Sequence, residues 1–91
     1  MKIDIEKLKE NLNNLRGLDF ELCAQQEKAA GNTNIFLRGD ERFQSRLAAH
    51  ALKIPVAEVR ELPLLDYLKV VQEVFSFLFN ANSTTNDNSE V

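Results

Sequence analysis

Apolar residues recur at helical spacing along most of the chain. Ile5, Leu8, Leu12 and Leu15 are spaced three and four apart and predict a first helix over about Ile5 to Arg16. Asp4 is its candidate N-cap, and Gly17 is the natural residue for a left-handed stop. So narrow a stripe on so short a helix needs a packing partner in water. A second helix follows at once, with Asp19 as candidate N-cap and Glu21 in its first turn. Phe20, Cys23, Ala24 and Glu27 lie along one side, Ala30 continues that side, and Gly31 ends the helix. Asn32-Thr33-Asn34 is a turn, and Ile35-Phe36-Leu37 reads as a buried loop anchor, because no second strand is available to pair with it.

A third helix opens on Asp40 as cap and Glu41 in the first turn, with Phe43, Leu47, Ala48, Ala51 and Ile54 facing inward. Pro55 ends it or begins a new turn, and Val56 to Val59 form one short helical turn. Pro63 suits the first position of a last helix over about Leu64 to Phe79. Its apolar arc holds Leu64, Tyr67, Leu68, Val71, Val74, Phe75, Leu78 and Phe79, against a polar arc of Asp66, Lys69, Gln72, Glu73 and Ser76. Val70 and Phe77 fall outside that arc on one flank. From Asn80 the chain has almost nothing to bury and reads as a disordered polar tail over 80–91. The predicted fold is all-α: a helical domain over 1–79, four helices with a short connecting turn, then the tail.

Composition narrows the function classes. With 91 residues, 2 Pro and 3 Gly, the chain is one small domain and a poor candidate for an all-β fold. One Cys and one His exclude an internal disulfide and a cysteine-based zinc site, so no metal or other cofactor is expected. Lys plus Arg is 11 against 14 Asp plus Glu, for a net charge of -3, and a binder of duplex DNA ordinarily carries a basic surplus. No signal peptide is visible at the start, and the most apolar stretch is broken by charges, so no membrane span is expected and the default compartment is the cytoplasm. A core this small makes a partner or a second copy a reasonable physical expectation.

Candidate chemistry is sparse. Cys23 and His50 form a conceivable nucleophile and base, but a Cys on the apolar side of a helix reads as a small core residue. Glu58 and Glu61 share a helical face and read as solvated. There is no Gly-rich phosphate loop, so neither an enzyme nor a small-molecule substrate is expected. Arg42, Arg46, His50 and Lys53, with Arg38 upstream, make a positive ridge; it supports the competing reading, a small helical regulator that binds DNA or acts as an antitoxin-like inhibitor. The favoured reading of the ridge is a solvent face balanced by Glu58 and Glu61. Arg38-Gly39-Asp40 is explained by a turn and a cap.

The last helix carries the stronger signal. Tyr67, Val70, Val74 and Phe77 follow three-four-three spacing and form a second seam beside the core face, extended by Phe79 at the end of the helix. These five are the expected partner-binding residues. The alternative, that this helix is the central one and covered on both flanks, stays open at the level of sequence. If the seam is free, Val70→Asp or Phe77→Asp leaves the fold intact and abolishes partner binding.

The order of these features resembles a known family. Phe43-x3-Leu-Ala-Ala-x-Ala-Leu-x-Ile-Pro-Val is followed by Val59-x2-Leu-Pro, by Asp66-Tyr67, and by Val74-x2-Phe-Leu-Phe after Glu73. Upstream stand Leu15-Arg16-Gly17-Leu18-Asp19 and a helix closing in Ala29-Ala30-Gly31. Over roughly Leu12 to Phe79 this pattern is similar to the tail assembly chaperones of long-tailed bacteriophages and prophages. Many members open with a β-hairpin-like segment, whereas this chain opens in a helix. The resemblance implies a non-enzymatic protein of the bacterial host cytoplasm. It would coat the tape-measure protein, and in some settings meet the tail-tube protein, while the tail is built. It also implies that a longer, frameshifted form is a family trait and that many weak contacts act together.

Overall fold

A computed structural model describes residues 3–89, with side chains through Phe79. The order is α1 (Ile5–Asn13), α2 (Gly17–Ala29), a 3-10 turn at Leu37–Gly39, α3 (Glu41–Leu52), α4 (Val56–Arg60) and α5 (Leu64–Ser89). The all-α expectation holds: among the described residues there is no strand. The short helical turn expected at Val56 is α4.

Local chemistry explains the boundaries. Asp4 Oδ1 accepts the backbone N–H groups of Glu6 and Lys7 and opens α1. Asn14, not Gly17, closes α1, and Arg16 turns extended at φ −117°, ψ 172°. Gly17 is therefore the first residue of α2 rather than a left-handed stop. Asp19 sits one turn inside as well: its Oδ2 accepts the Arg16 N–H at 2.7 Å while its own N–H donates to the Arg16 carbonyl. That reciprocal pair does the work expected of Asp19 as N-cap, from the third helical position. Gly31 closes α2 with φ 96°, a conformation that side chains with a Cβ disfavour. At the end of α3 the left-handed residue is Lys53, φ 60°, and Ile54 N–H returns to the Ala49 carbonyl at 3.0 Å. Pro55 then precedes α4.

Asp40 performs the expected cap and more. Its Oδ2 accepts from the Phe43 backbone and from Asn32 Nδ2, and its Oδ1 takes the Asn34 amide at 3.3 Å. One carboxylate thus starts α3 and fixes the turn after α2. Asp40→Ala is expected to cost about 1–2 kcal/mol, the upper part of the range for a lost cap, because the turn loses its anchor too. Thermal unfolding by circular dichroism measures it.

The core is built around α3, which packs against α1, α2, α4, α5 and the 3-10 turn. Ala48, Ala49 and Ala51, all buried, let those neighbours approach closely. Leu8 and Leu12 enter from α1, Cys23 from α2, Phe43 and Leu47 from α3, Val59 from α4, and Val70, Val74 and Leu78 from α5. The Phe20 and Phe43 rings meet at 4.8 Å between centroids. Asn11 Nδ2 donates to the Ala51 carbonyl and ties α1 to the end of α3. The last helix is therefore peripheral: α5 packs on α3, α1 and the 3-10 turn.

The end of α5 differs from expectation. Its backbone is helical to Ser89, past the expected stop at Phe79. No Pro or Gly follows Pro63, so nothing in the sequence breaks the helix once it has begun. The expected polar tail over 80–91 lies on residues whose side chains fall outside the description.

Candidate functional site

On a helical projection the apolar residues of α5 span roughly 240° of arc, twice what one core-facing stripe uses. Phe77, Val70, Val74, Tyr67, Leu78 and Val71 fill one half in that angular order. Leu64, Phe75, Leu68, Phe79 and Leu65 fill the other. The bundle covers the first half and, of the second, part of Phe79. Val70 and Val74 are 0% exposed, and Tyr67 and Phe77 are half-buried against the core. This corrects the expected seam. Tyr67, Val70, Val74 and Phe77 are how α5 attaches to α3 and α1, and they do not form a free flank. Phe79, the last of the expected set, is likewise half-buried against the core, at the border with the open side.

The uncovered half is the opposite flank. Leu64 is 68% exposed, Leu65 72%, Leu68 44% and Phe75 42%. Beside its C-terminal end stands the loop before the 3-10 turn, where Ile35 is 99% and Phe36 54% exposed. That corrects the reading of Ile35-Phe36-Leu37 as a buried anchor: only Leu37 packs on the core. Phe79 joins the two parts. Its ring lies 4.5 Å from that of Phe75 and 6.1 Å from that of Phe36, centroid to centroid, the second pair edge-on. The Arg38 guanidinium stands 5.0 Å from the Phe79 ring centroid. Gly39 lets Phe36 in: a Cβ there would lie 2.8 Å from the Phe36 ring edge. The result is an apolar surface running from Leu64 along α5 to Phe75, Phe79 and Phe36.

At roughly 150–200 Å² for a whole large side chain, the uncovered parts of Leu64, Leu65, Leu68, Phe75 and Phe36 come to about 420–560 Å². That lies at the upper end of the largest apolar patch of a typical monomeric protein, a patch that is often functional. A smaller exposed pair, Leu18 and Leu22, lies on α2.

The middle of the basic ridge, Arg46 and His50, is partly turned inward, while Arg42 and Lys53 stay exposed. Glu27 of α2 is 0% exposed and gathers the cations around it. Arg46 Nε donates to Glu27 Oε2, and Arg60 Nη2 donates to the same oxygen at 3.1 Å. Asn32 Nδ2 donates to Oε1 at 2.9 Å, and Arg42 approaches at 3.9 Å. Arg60 also donates to Ser45 Oγ and to the Arg42 carbonyl. Burial pushes the Glu27 carboxyl up, but the hydrogen bonds from Asn32, Arg46 and Arg60 outweigh it and hold the group below the usual glutamate range. At the next turn His50 Nε2 lies 2.7 Å from Asp19 Oδ1. The Arg16 backbone N–H, then His50, hold the Asp19 carboxyl below its ordinary value. The counter-charges of the ridge are thus Glu27 and Asp19, not Glu58 and Glu61.

Cys23 is the core residue its position predicts. It is wholly buried, and burial pushes its thiol up to about 11, so the thiol is protonated at neutral pH. No helix of the described residues is long and apolar enough to cross a membrane.

Comparison with protein-family models, with curated proteins and with solved structures gives no match.

Proposed function

We propose that the chain is a tail assembly chaperone of a long-tailed phage or prophage, acting in the bacterial host cytoplasm by docking helical segments of the tape-measure protein on the open face of α5. The observation that carries the reading is the exposed Leu64, Leu65, Leu68 and Phe75 on α5, with exposed Phe36 beside them across the half-buried Phe79 ring. A tape-measure chain is long and largely helical, and its apolar stripes stay exposed until tail-tube subunits surround it. An apolar stripe on a rigid helix suits such a client, because helix-on-helix docking needs few polar contacts and tolerates many sequences. The motif order around Ile54-Pro55, Leu62-Pro63 and the aromatic end of α5 supports the same family.

The engaged state of the arginines weighs against the regulator reading. Arg46 and Arg60 are committed to Glu27, so the α3 ridge offers less cation to phosphates than its sequence promises.

The test is a titration of the chain against tape-measure segments, read by co-purification and calorimetry. Leu68→Asp and Phe75→Asp are expected to reduce binding at least tenfold, since each replaces about 1.5–3 kcal/mol of apolar burial with a charge. Circular dichroism of both variants should match the parent. Unchanged binding by both variants, or no binding by the parent, overturns the reading. A salt-dependent gel shift on duplex DNA would favour the regulator instead.

A further inference from the structure

We infer that the same face of α5 pairs with a second copy of this chain in an antiparallel, two-fold arrangement centred on Gln72. Three features carry this. The first is charge. The stripe reads Leu64, Leu65, Leu68, Gln72 and Phe75, ends at the half-buried Phe79, and has no ionisable side chain of its own; the one charge at its edge is Arg38, over the Phe79 ring. An antiparallel pair sets the two Arg38 groups at opposite ends, so like charges, the usual device that keeps exposed helices apart, do not meet.

The second is spacing. Gln72 is the midpoint of the stripe, seven residues from Leu65 and seven from Phe79. A two-fold axis through Gln72 sets Leu65 against Phe79 of the second copy and Leu68 beside Phe75 of the second copy. The aliphatic end of each helix then covers the aromatic end of the other, where Phe36 widens the surface. Gln72, the sole polar member, meets its own symmetry mate. A primary amide both donates and accepts, so two of them satisfy each other across an axis. Its present contact, Nε2 to Ser76 Oγ at 3.3 Å, is weak and exposed. Antiparallel packing also aligns the two helix dipoles favourably.

The third is size. The uncovered apolar area of about 420–560 Å² is more than half of the roughly 800 Å² that each partner contributes to a standard interface, before the polar rim is counted. A small domain with a marginal core gains most from such cover. A second copy and a helical client would occupy one surface and exclude each other, so self-association would hold the face closed until a client competes for it. The pairing needs no client and is measured on the chain alone, so its failure leaves the proposed function standing.

The experiment is sedimentation equilibrium of the full chain over a micromolar-to-millimolar series, with Leu68→Glu and Phe75→Lys. The parent is expected to dimerise, and each variant alone to weaken the dimer about tenfold or more with its helical signal unchanged. Mixing the two variants is expected to restore a heterodimer, because antiparallel pairing joins Glu at 68 to Lys at 75 and leaves one native Phe–Leu contact. Parallel pairing would join neither. Gln72→Cys treated with a short bismaleimide should cross-link as a dimer, while the parent, whose Cys23 is buried, should not. A parent that stays monomeric throughout, variants that dimerise like the parent, or a mixture that fails to associate would each overturn the pairing. Should a charged variant lose its helical signal, the Gln72→Cys cross-link decides.

Discussion

Val70→Asp unfolds the chain. Val70 has no exposed surface and belongs to the cluster in which Leu8, Leu12 and Val74 also sit. The substitution removes about 2 kcal/mol of apolar burial and places a carboxyl within the apolar cluster. The carboxyl costs a further ~2–4 kcal/mol even if it takes up a proton. The whole stability of a domain this size is of the order of 5–10 kcal/mol, so the variant is expected to lose its cooperative thermal transition at neutral pH. The same change at Leu68, two residues earlier and already 44% exposed, is expected to leave the transition within about 1 kcal/mol of the parent. Circular dichroism melts of the pair separate the two flanks of α5 directly. Two cooperative transitions of equal midpoint would mean that both flanks are free. Loss of the transition in Leu68→Asp as well would place the open face in the core. On the sequence alone Val70→Asp is a surface change; in the folded chain it is among the most disruptive available.

That reversal shows where the sequence is legible. Capping chemistry is local, so Asp4, Asp40 and Gly31 carry their roles in their neighbours, and all three act as expected. The inward residues of α3 are partly plain: Phe43, Leu47, Ala48 and Ala51 are buried, and Ile54 packs on the core from beyond the helix end, but Gln44, Ser45 and Ala49 are buried as well because α3 is central. The excess of apolar surface on α5 was also readable. Which flank would be left over was not. With roughly 240° of apolar arc, a helix can turn either half inward, and only the shapes of α1 and α3 choose. Those shapes are tertiary facts that no residue of α5 encodes. The same holds for Ile35 and Phe36, whose apolarity said "buried" although the 3-10 turn needs only Leu37 as an anchor. At Gly17 and Asp19 the error was one of register. Both residues serve the start of α2, but the turn between helices is shorter than the stop-then-cap reading allows. Glu27 falls between these cases. Its place beside Phe20, Cys23 and Ala24 marked it as inward-facing, whereas its partners come from two later helices and the Asn32 turn.

Glu27→Gln is expected to cost about 3 kcal/mol. Removing one member of a buried ion pair leaves the other without compensation, which in well-buried cases costs about 3–5 kcal/mol. The lower end applies because the Arg46 and Arg60 side chains retain 17% and 29% of their exposure and can recover some hydration. The group ties α2 to α3, α4 and the Asn32 turn at once, so the loss should appear as a lower midpoint of one cooperative transition. Its pH dependence follows from the direction of the shift. The folded Glu27 carboxyl lies below its unfolded value of about 4.3. Between those values the unfolded chain holds more protons than the folded one, so stability rises with pH. The contribution is therefore complete above about pH 5 and fades as acid brings the pH down through the folded value. Asp19, also depressed, adds a slope of the same sign at somewhat lower pH. Melting midpoints of parent and Glu27→Gln should differ most at neutral pH and converge in acid, with the variant keeping the slope from Asp19. Parallel curves at every pH would show that Glu27 matters through shape rather than charge. The hub and the open face of α5 then divide the molecule's chemistry: Arg46 and Arg60 hold α2, α3 and α4 together through Glu27, and the open side of α5 offers a partner an apolar face.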